Sequence, residues 1–293
     1  MTRQADRHVH ERGLALVSVL WALSILSLIA ASMMSAGSIS YAIERNALKR
    51  VEADSIADAG ITLGILGLLD PRPEKRWRVD GVRHEVMFAQ IPMTVEIQDT
   101  MGLIDLNEAD VSLLGRLFQG AGLGADDASR FATRIVDWRT PGDLHSLDGA
   151  SKDGYRAAGL SYVPRGGPFQ SVDELKLVLG MTSELYARVS PALTVYSRQR
   201  NFDPRLAPKE ALQALPEMGD RQVNQILSER LTGSSTINNL DATPPAGSLT
   251  LSLNGRAFAI KAEVKYRGIK NSREAIIRLT TDNANPYRVL TWQ

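Results

Sequence analysis

Apolar residues near the amino terminus form one long uninterrupted run. From Leu14 to Ile43 the chain has no charged residue, and about 20 apolar residues in a helix are enough to cross a bilayer core of roughly 30 Å. The pattern therefore predicts a transmembrane helix over residues 14–38. Two alternatives remain open. The run could be a secretory signal peptide cut between Ala30 and Ala36, or a core helix, although little else in the chain is apolar enough to surround it.

The helix should continue beyond the apolar run. Residues 44–69 contain no proline and many helix formers, and Asp70, Pro71 and Pro73 should end the helix because proline lacks a donor and clashes with the preceding turn. We expect one helix over residues 14–70, roughly 80 Å long at 1.5 Å per residue. The stripe that should pack on a soluble domain consists of Leu48, Val51, Ser55, Ala59, Leu63 and Leu66.

Strand-like alternation occurs in two groups that are far apart in the chain. In the first, Asp80-Gly81 should form the turn of a hairpin, and 93–98 should be the next strand. In the second, a strand at 249–253 should lead into another turn at Asn254-Gly255, which strands at 256–266, 275–280 and 287–292 should follow. One face of the strand at 256–266 should hold Phe258, Ile260, Ala262, Val264 and Tyr266. We predict one antiparallel sheet built from residues 71–100 and 247–293, with an insertion between the two parts.

The insertion, residues 101–231, is expected to be all-α. Short helices joined by glycine and proline are predicted at 106–119, 125–138, 171–179, 183–195, 207–215 and 220–231. The order helix, glycine turn, helix occurs twice in the insertion, and the two copies are only weakly similar in sequence. Residues 232–246 are polar and rich in Gly, Pro and Ser, so they should form a flexible linker.

Composition and charge narrow the range of functions. The chain has 34 Lys+Arg against 33 Asp+Glu and no cysteine, which argues against a dedicated nucleic-acid coat and removes thiolate catalysis and Cys-ligated metals. No histidine of the soluble region belongs to a metal-spaced pair or a nucleophile motif. Gly120, Gly122 and Gly124 resemble a phosphate loop but lack the Lys-Ser/Thr of such loops, so a turn is favoured. We expect no catalytic activity.

One acidic segment is a candidate metal site. Asp137, Asp143, Asp148 and Asp153 lie among glycines in a loop, and carboxylate and carbonyl oxygens suit Ca²⁺. The alternative is a solvated acidic loop without an ion.

The start of the chain resembles the class III signal of type IV prepilins. A short charged leader, residues 1–13, ends in Arg12-Gly13 and is followed by Leu14-Ala-Leu-Val. The resemblance implies cleavage between Gly13 and Leu14 by prepilin peptidase, with the apolar helix retained. Ser18 replaces the usual glutamate of the fifth mature position, a feature of K-type minor pseudopilins. The expected membrane and partner positions are Leu14, Leu16, Val17, Leu20, Trp21 and Leu23.

The insertion adds an ordered series of motifs to this resemblance. Its helical pairs resemble helix-hairpin-helix (SAM-like) modules, and the longer string resembles the general secretion pathway protein K family from about residue 12 to 231. The matching segments, in the family's order, are D-x-x-G-x-I-D-L-N-x-A at 99–109, IVDWR at 135–139, PFQSVDEL at 168–175, VLGMT at 178–182 and PALT at 191–194. The family has an acidic stretch to which calcium binding is attributed, but Thr140, Ser151 and Lys152 stand here where acidic residues are more usual.

The resemblance implies an α+β fold: a single transmembrane helix continues into a pseudopilin-type helix on an antiparallel sheet, with the all-α insertion. It also implies a noncatalytic minor pseudopilin at the tip of a type II secretion pseudopilus, in the bacterial inner membrane with a cytoplasmic N-terminus and a periplasmic C-terminal domain. Its partners would be the I, J and H types, the major pseudopilin and prepilin peptidase. A membrane-anchored DNA receptor is the alternative, but Asp126, Asp127 and Asp220 after the glycine turns would repel phosphates. No nucleic-acid partner is therefore expected.

Overall fold

The computed structural model describes residues 7–141, 151–216, 218–231 and 253–293, and within the first helix the side chains of 16–32 and from 44 onward. This helix, α1, spans Arg7–Leu68 and ends just before Asp70, as predicted. Within the described part of the chain, no helix is long and apolar enough to cross a membrane. The predicted span over residues 14–38 is therefore not confirmed.

The sheet-facing side of α1 differs from the predicted stripe. Leu48, Val51 and Leu66 are more than 60% exposed, whereas the buried face consists of Ala53, Ala57, Gly60, Ile61, Gly64, Ile65 and Leu68. The small residues explain the difference, because they let the helix backbone approach the sheet. A Cβ added at Gly64 would lie 2.7 Å from Cγ2 of Ile260.

The sheet has five antiparallel strands in the order β1-β2-β5-β6-β7. The strands are β1 (Asp80–Phe88), β2 (Ile91–Asp99), β5 (Ala257–Tyr266), β6 (Ile269–Leu279) and β7 (Tyr287–Trp292). Helix α1 packs on β2, β5 and β6. The predicted face of β5 is confirmed: four of its five residues are buried and Tyr266 is half-buried. The antiparallel sheet was thus predicted correctly from its alternating pattern.

One predicted turn is wrong. Asp80-Gly81 is not a hairpin turn, because β1 begins there with an irregularity in its pairing before Arg83. The chain reverses instead at Ala89 and Gln90, whose φ values of 47° and 63° give the left-handed backbone of a tight turn. The strand predicted at 249–253 lies outside the described residues except for Leu253, which precedes Asn254.

The insertion connects β2 to β5. Its helices are α2 (Val111–Gly120), α3 (Ala125–Arg139), α4 (Lys152–Ala157), α5 (Ser183–Val189), α6 (Lys209–Leu212) and α7 (Asp220–Leu231), with short 3-10 turns at Thr100–Gly102, Val172–Leu177 and Ser190–Ala192. The prediction that it is all-α is wrong in one detail: β3 (Ile104–Asp105) and β4 (Leu193–Thr194) form a short parallel pair. Several predicted helices are shorter than expected, and Pro191 after α5 and Pro208 before α6 limit two of them. The helix predicted at 171–179 is the 3-10 turn Val172–Leu177.

Each part has its own hydrophobic core. The insertion packs around large buried side chains that include Leu114, Phe118, Phe131 and Tyr155. The second core lies between α1 and the sheet, and Leu206 from the insertion belongs to it. The insertion therefore contributes an apolar side chain to the core beneath it.

The direction of α1 relative to the sheet places the insertion. A Cβ added at Gly60 would lie 3.0 Å from Sδ of Met93, and one at Gly64 would lie 3.1 Å from Cγ1 of Val95. Helix and strand β2 therefore run the same way. Since β2 ends at Asp99, the insertion begins near the carboxyl end of α1, and the apolar residues 14–43 lie toward the opposite end.

Candidate functional site

The first candidate region is the junction where the chain leaves the sheet for the insertion. The Asp99 carboxylate accepts a hydrogen bond from Met101 N at 2.8 Å and forms an ion pair with Arg256, just before β5. Both side chains are buried, with 0% and 7% of their surface exposed. Burial raises the pKa of Asp99 to about 6, against the opposing effect of the Arg256 charge. A buried pair thus ties the two ends of the insertion together.

Gly102 is the glycine of the motif at 99–109, and glycine is required there because the backbone of Leu206 lies very close to it. A Cβ at Gly102 would lie 2.4 Å from the carbonyl oxygen of Leu206. That oxygen accepts a hydrogen bond from Nε2 of Gln98 at 2.8 Å. The segment of the insertion around Leu206 is therefore held against Gly102 and the end of β2.

The second aspartate of the motif connects distant segments within the insertion. The Asp105 side chain is 1% exposed and accepts hydrogen bonds from Asn107 N at 2.9 Å, Ser197 Oγ at 3.1 Å and Arg198 N at 2.8 Å. A buried carboxylate is tolerated when donors surround it in this way. Asp105 therefore has a structural role.

Asn107 continues this framework. Its Oδ1 accepts from Phe169 N at 2.7 Å, and its Nδ2 donates to the Phe169 carbonyl at 3.0 Å. Arg139 donates from Nη2 to the Ala109 carbonyl at 2.6 Å and also reaches the Leu106 carbonyl. The motif at 99–109 is thereby tied to the motifs at 135–139 and 168–175.

Glu174 links the motif at 168–175 directly to the motif at 135–139. Its carboxylate accepts from Nε1 of Trp138 at 3.2 Å and from Gln170 N at 2.9 Å, and it pairs with Arg165. These motifs form a hydrogen-bond framework, and their polar side chains are engaged with the protein itself. The sequence indicated the motifs, but the role of each residue became visible only in the contacts.

The predicted membrane and partner positions lie on the amino-terminal half of α1. Gly13 and Leu14 fall in this helix, but their side chains lie outside the described residues. Five apolar side chains are between 55% and 70% exposed: Leu16, Val17, Leu20, Trp21 and Leu23. This half of the helix therefore presents an apolar surface that the rest of the described chain does not cover.

The four candidate calcium ligands are only partly described. Asp137 is buried in the last turn of α3, with 4% of its surface exposed. Asp153 is exposed and pairs with Arg156 at 3.1 Å. Asp143 and Asp148 lie outside the described residues. Among the residues that are described, no three His, Asp or Glu side chains form a group that could hold a metal ion.

The glycine turn between α2 and α3 has the shape expected of a helical hairpin. Gly122 has a φ of +99°, and the exposed Asp126 and Asp127 follow in the first turn of α3. Carboxylates at this place oppose a phosphate backbone. The second predicted helical pair, α6 and α7, is less regular because α6 is only one turn long.

Comparison with known proteins gives concordant results. Residues 96–198 match the family model of type II secretion system (T2SS), protein K. The chain is 26% identical to the type II secretion system protein K of Klebsiella pneumoniae, over 78% of each chain. It is 25% identical to that of Pectobacterium carotovorum subsp. carotovorum, over 86% of each.

One chain of a solved structure has the same fold. The structure is the GspK-GspI-GspJ complex from the enterotoxigenic Escherichia coli type 2 secretion system, and that chain matches with a TM-score of 0.53 and 16% sequence identity. The match covers 87% of this chain and 97% of that one. Together with the ordered motifs and the insertion in the sheet, these results support membership of the chain in the type II secretion system protein K family.

Proposed function

We propose that the chain acts as a noncatalytic minor pseudopilin of a type II secretion system and occupies the tip of the pseudopilus. The observation that carries this proposal is the position of the insertion, near the end of α1 that is remote from the apolar residues. In a filament whose subunits stack through their amino-terminal helices, a body of this size at the far end would meet the next subunit. A subunit with this insertion therefore fits at the end of the filament, where no further subunit is added.

We further propose that residues 14–43 anchor the chain in the bacterial inner membrane. The exposed apolar side chains from Leu16 to Ile29 support this, because such a surface is unfavourable in water. Arg3, Arg7 and Arg12 precede the run, so the amino terminus should stay in the cytoplasm and the sheet and insertion should lie in the periplasm.

Processing should occur between Gly13 and Leu14. Mass analysis of the protein purified from membranes of cells that contain prepilin peptidase should find Leu14 as the first residue. Gly13→Leu should leave the precursor uncut and stop secretion, whereas the matched control Gly37→Leu should be processed normally. A mature chain that starts near residue 37 would instead indicate a secretory signal peptide.

The exposed stripe on the soluble half of α1 is the proposed contact with neighbouring helices. Leu48, Val51 and Leu66 are 61–64% exposed and lie away from the sheet. Apolar side chains in such a row favour helix-to-helix packing. We propose that I- and J-type minor pseudopilins bind here, with the H type and the major pseudopilin below them. The solved complex, one chain of which has the same fold, contains GspK, GspI and GspJ.

Copurification tests this contact. The full chain would be coexpressed with I- and J-type pseudopilins, and a triple variant with serine at Leu48, Val51 and Leu66 should no longer copurify with them. The matched control is Leu177→Ser, which changes an exposed leucine of the insertion. Circular dichroism would verify that both variants fold. Full retention of the partners by the triple variant would contradict the proposal.

A calcium ion held by residues 137–153 remains a prediction. The buried Asp137 offers a fixed carboxylate at one end of this segment, and oxygen ligands of this kind suit Ca²⁺. A chelator should lower the melting temperature of the full-length protein, and the double variant Asp143→Asn, Asp148→Asn should remove that effect. A wild-type melting temperature that is the same with and without chelator would exclude a stabilising ion.

A further inference from the structure

We infer that the insertion has a docking site for an acidic side chain of a partner protein, formed where the α2–α3 turn meets α5. A hollow of about 350 Å³ lies there, bordered by Gly122, Arg134, Gly180 and Arg188. A second hollow of about 360 Å³ shares Gly122 and Arg188 with it. These volumes lie at the small end of the range for ligand cavities. They suit one or two side chains of a protein segment.

The charges in the first hollow are not balanced. Arg130 pairs with Asp127, and Arg188 pairs with Glu184, each at 2.5 Å. Arg134 differs from both. Its Nη1 donates to the Leu179 carbonyl at 3.1 Å, its buried Nε has no hydrogen-bond partner, and no carboxylate of the described residues pairs with it. The hollow therefore contains one guanidinium group whose charge is not neutralised.

Two glycines allow the guanidinium groups to lie against the backbone. Gly180 has a φ of +91°, and a Cβ there would lie 2.8 Å from Nη1 of Arg134. Gly122 has a φ of +99°, and a Cβ there would lie 3.2 Å from Nη1 of Arg188. A side chain at either position would strain the backbone and displace the arginine beside it. The two glycines thus leave room for the two guanidinium groups beside the backbone.

The surrounding charges favour a protein carboxylate over a nucleic acid. A guanidinium group binds a carboxylate strongly through charge-assisted hydrogen bonds. Asp127 and Glu184 also line the hollow, but each is already paired with an arginine, which leaves Arg134 as the cation available to a single added Asp or Glu. A phosphate backbone carries a continuous row of charges, so it would also meet the exposed Asp126, Asp127 and Glu184. We therefore assign the site to an acidic side chain of a protein, a role that goes beyond assembly through α1.

Fluorescence anisotropy with the full-length protein in detergent tests the assignment. The probes are a labelled peptide of ten glutamates, the same peptide with glutamines, and a labelled 20-nucleotide single strand. We expect only the glutamate peptide to bind appreciably. Arg134→Gln should weaken it about tenfold or more, as expected for losing a charge-assisted hydrogen bond. Arg221→Gln, which changes an exposed arginine of α7, should stay within about twofold on the same basis.

A second measurement does not depend on a variant that might misfold. In protein labelled at arginine, the Nε–H resonance of Arg134 should shift when the glutamate peptide is added and not when the glutamine peptide or inorganic phosphate is added. An equal response to phosphate would show a general anion site and overturn the proposal. Tighter binding of the nucleic acid, equal binding to the glutamine peptide, or no binding at all would overturn it as well.

Discussion

Replacing Gly102 by alanine should weaken the junction between sheet and insertion. The added Cβ would lie 2.4 Å from the Leu206 carbonyl oxygen and 2.5 Å from its carbonyl carbon, distances that real Cβ contacts essentially never show. Leu206 cannot easily move away. Its side chain is 1% exposed within the core of the sheet, and its carbonyl is bound to Gln98.

The expected cost follows from these contacts. Overpacking in a tight region costs about 1–3 kcal/mol, and disturbing the hydrogen bond from Gln98 adds about 1 kcal/mol. A total of about 3 kcal/mol corresponds to a fall of roughly 6–12 °C in melting temperature for a domain of about 150–250 residues. The unfolding should also become less cooperative, because the insertion and the sheet would be less firmly connected.

Thermal unfolding of the full-length protein, followed by circular dichroism, measures this effect. The matched control is Gly167→Ala, since a Cβ at Gly167 would meet only Arg165 at 3.9 Å and its φ is not left-handed. The control should melt within about 2 °C of the wild type, as a loss or gain near 0.5 kcal/mol would give. Equal melting temperatures for the two variants would refute the claim that this close approach holds the junction.

Three further changes test other parts of the fold. Burial raises the pKa of Asp99 from its ordinary value of 3.8 to about 6, so its contribution to stability is present below pH 3.8 and is lost as pH rises through 6. Relative to Asp99→Asn, the wild type should gain up to ~3 kcal/mol of stability when pH falls from 7.5 to 4. Urea unfolding at both pH values measures this, and a difference independent of pH would contradict it. Gly64→Val should destabilise by about 1–3 kcal/mol, since its side chain would collide with Ile260; an unchanged urea midpoint would refute close packing of α1. Asn107→Ala should cost about 2 kcal/mol for two lost hydrogen bonds and speed hydrogen exchange at Phe169, where an unchanged rate would contradict the role.

Sequence reasoning succeeded where one physical effect dominated. The end of α1 follows from the aspartate and prolines at 70–73, and the buried face of β5 follows from strict alternation along a half-buried strand. The ordered motifs pointed to the family that the comparisons support. The reversal at Ala89 and Gln90 could not be predicted in this way, because neither residue favours a left-handed backbone.

The face of α1 shows why other predictions failed. Leu48, Val51 and Leu66 looked like a core stripe because they are large and apolar, yet they are exposed. The real contact uses Gly60 and Gly64, which give no hydrophobic signal. Hydrophobicity alone cannot tell a core face from a face left for another protein. The hydrogen bonds of the junction were hidden for a related reason, since their partners are far apart in sequence.

The attachment of the insertion suggests that it can be separated from the pilin-like body. Asp99 and Phe258 are directly paired across β2 and β5, so the insertion leaves and returns at neighbouring positions of one ladder. Replacing residues 100–257 by Asn-Gly would join the two strands in a two-residue hairpin without changing their register. The shortened chain loses the ion pair with Arg256 and exposes the core position of Leu206, and burial of one leucine side chain is worth about 1.5–3 kcal/mol. We expect it to fold with lower stability, to copurify with I- and J-type pseudopilins through α1, and to fail in secretion. Full secretion by this chain would show that the insertion is not needed at the tip, and loss of copurification would show that the partners bind the insertion instead of the helix.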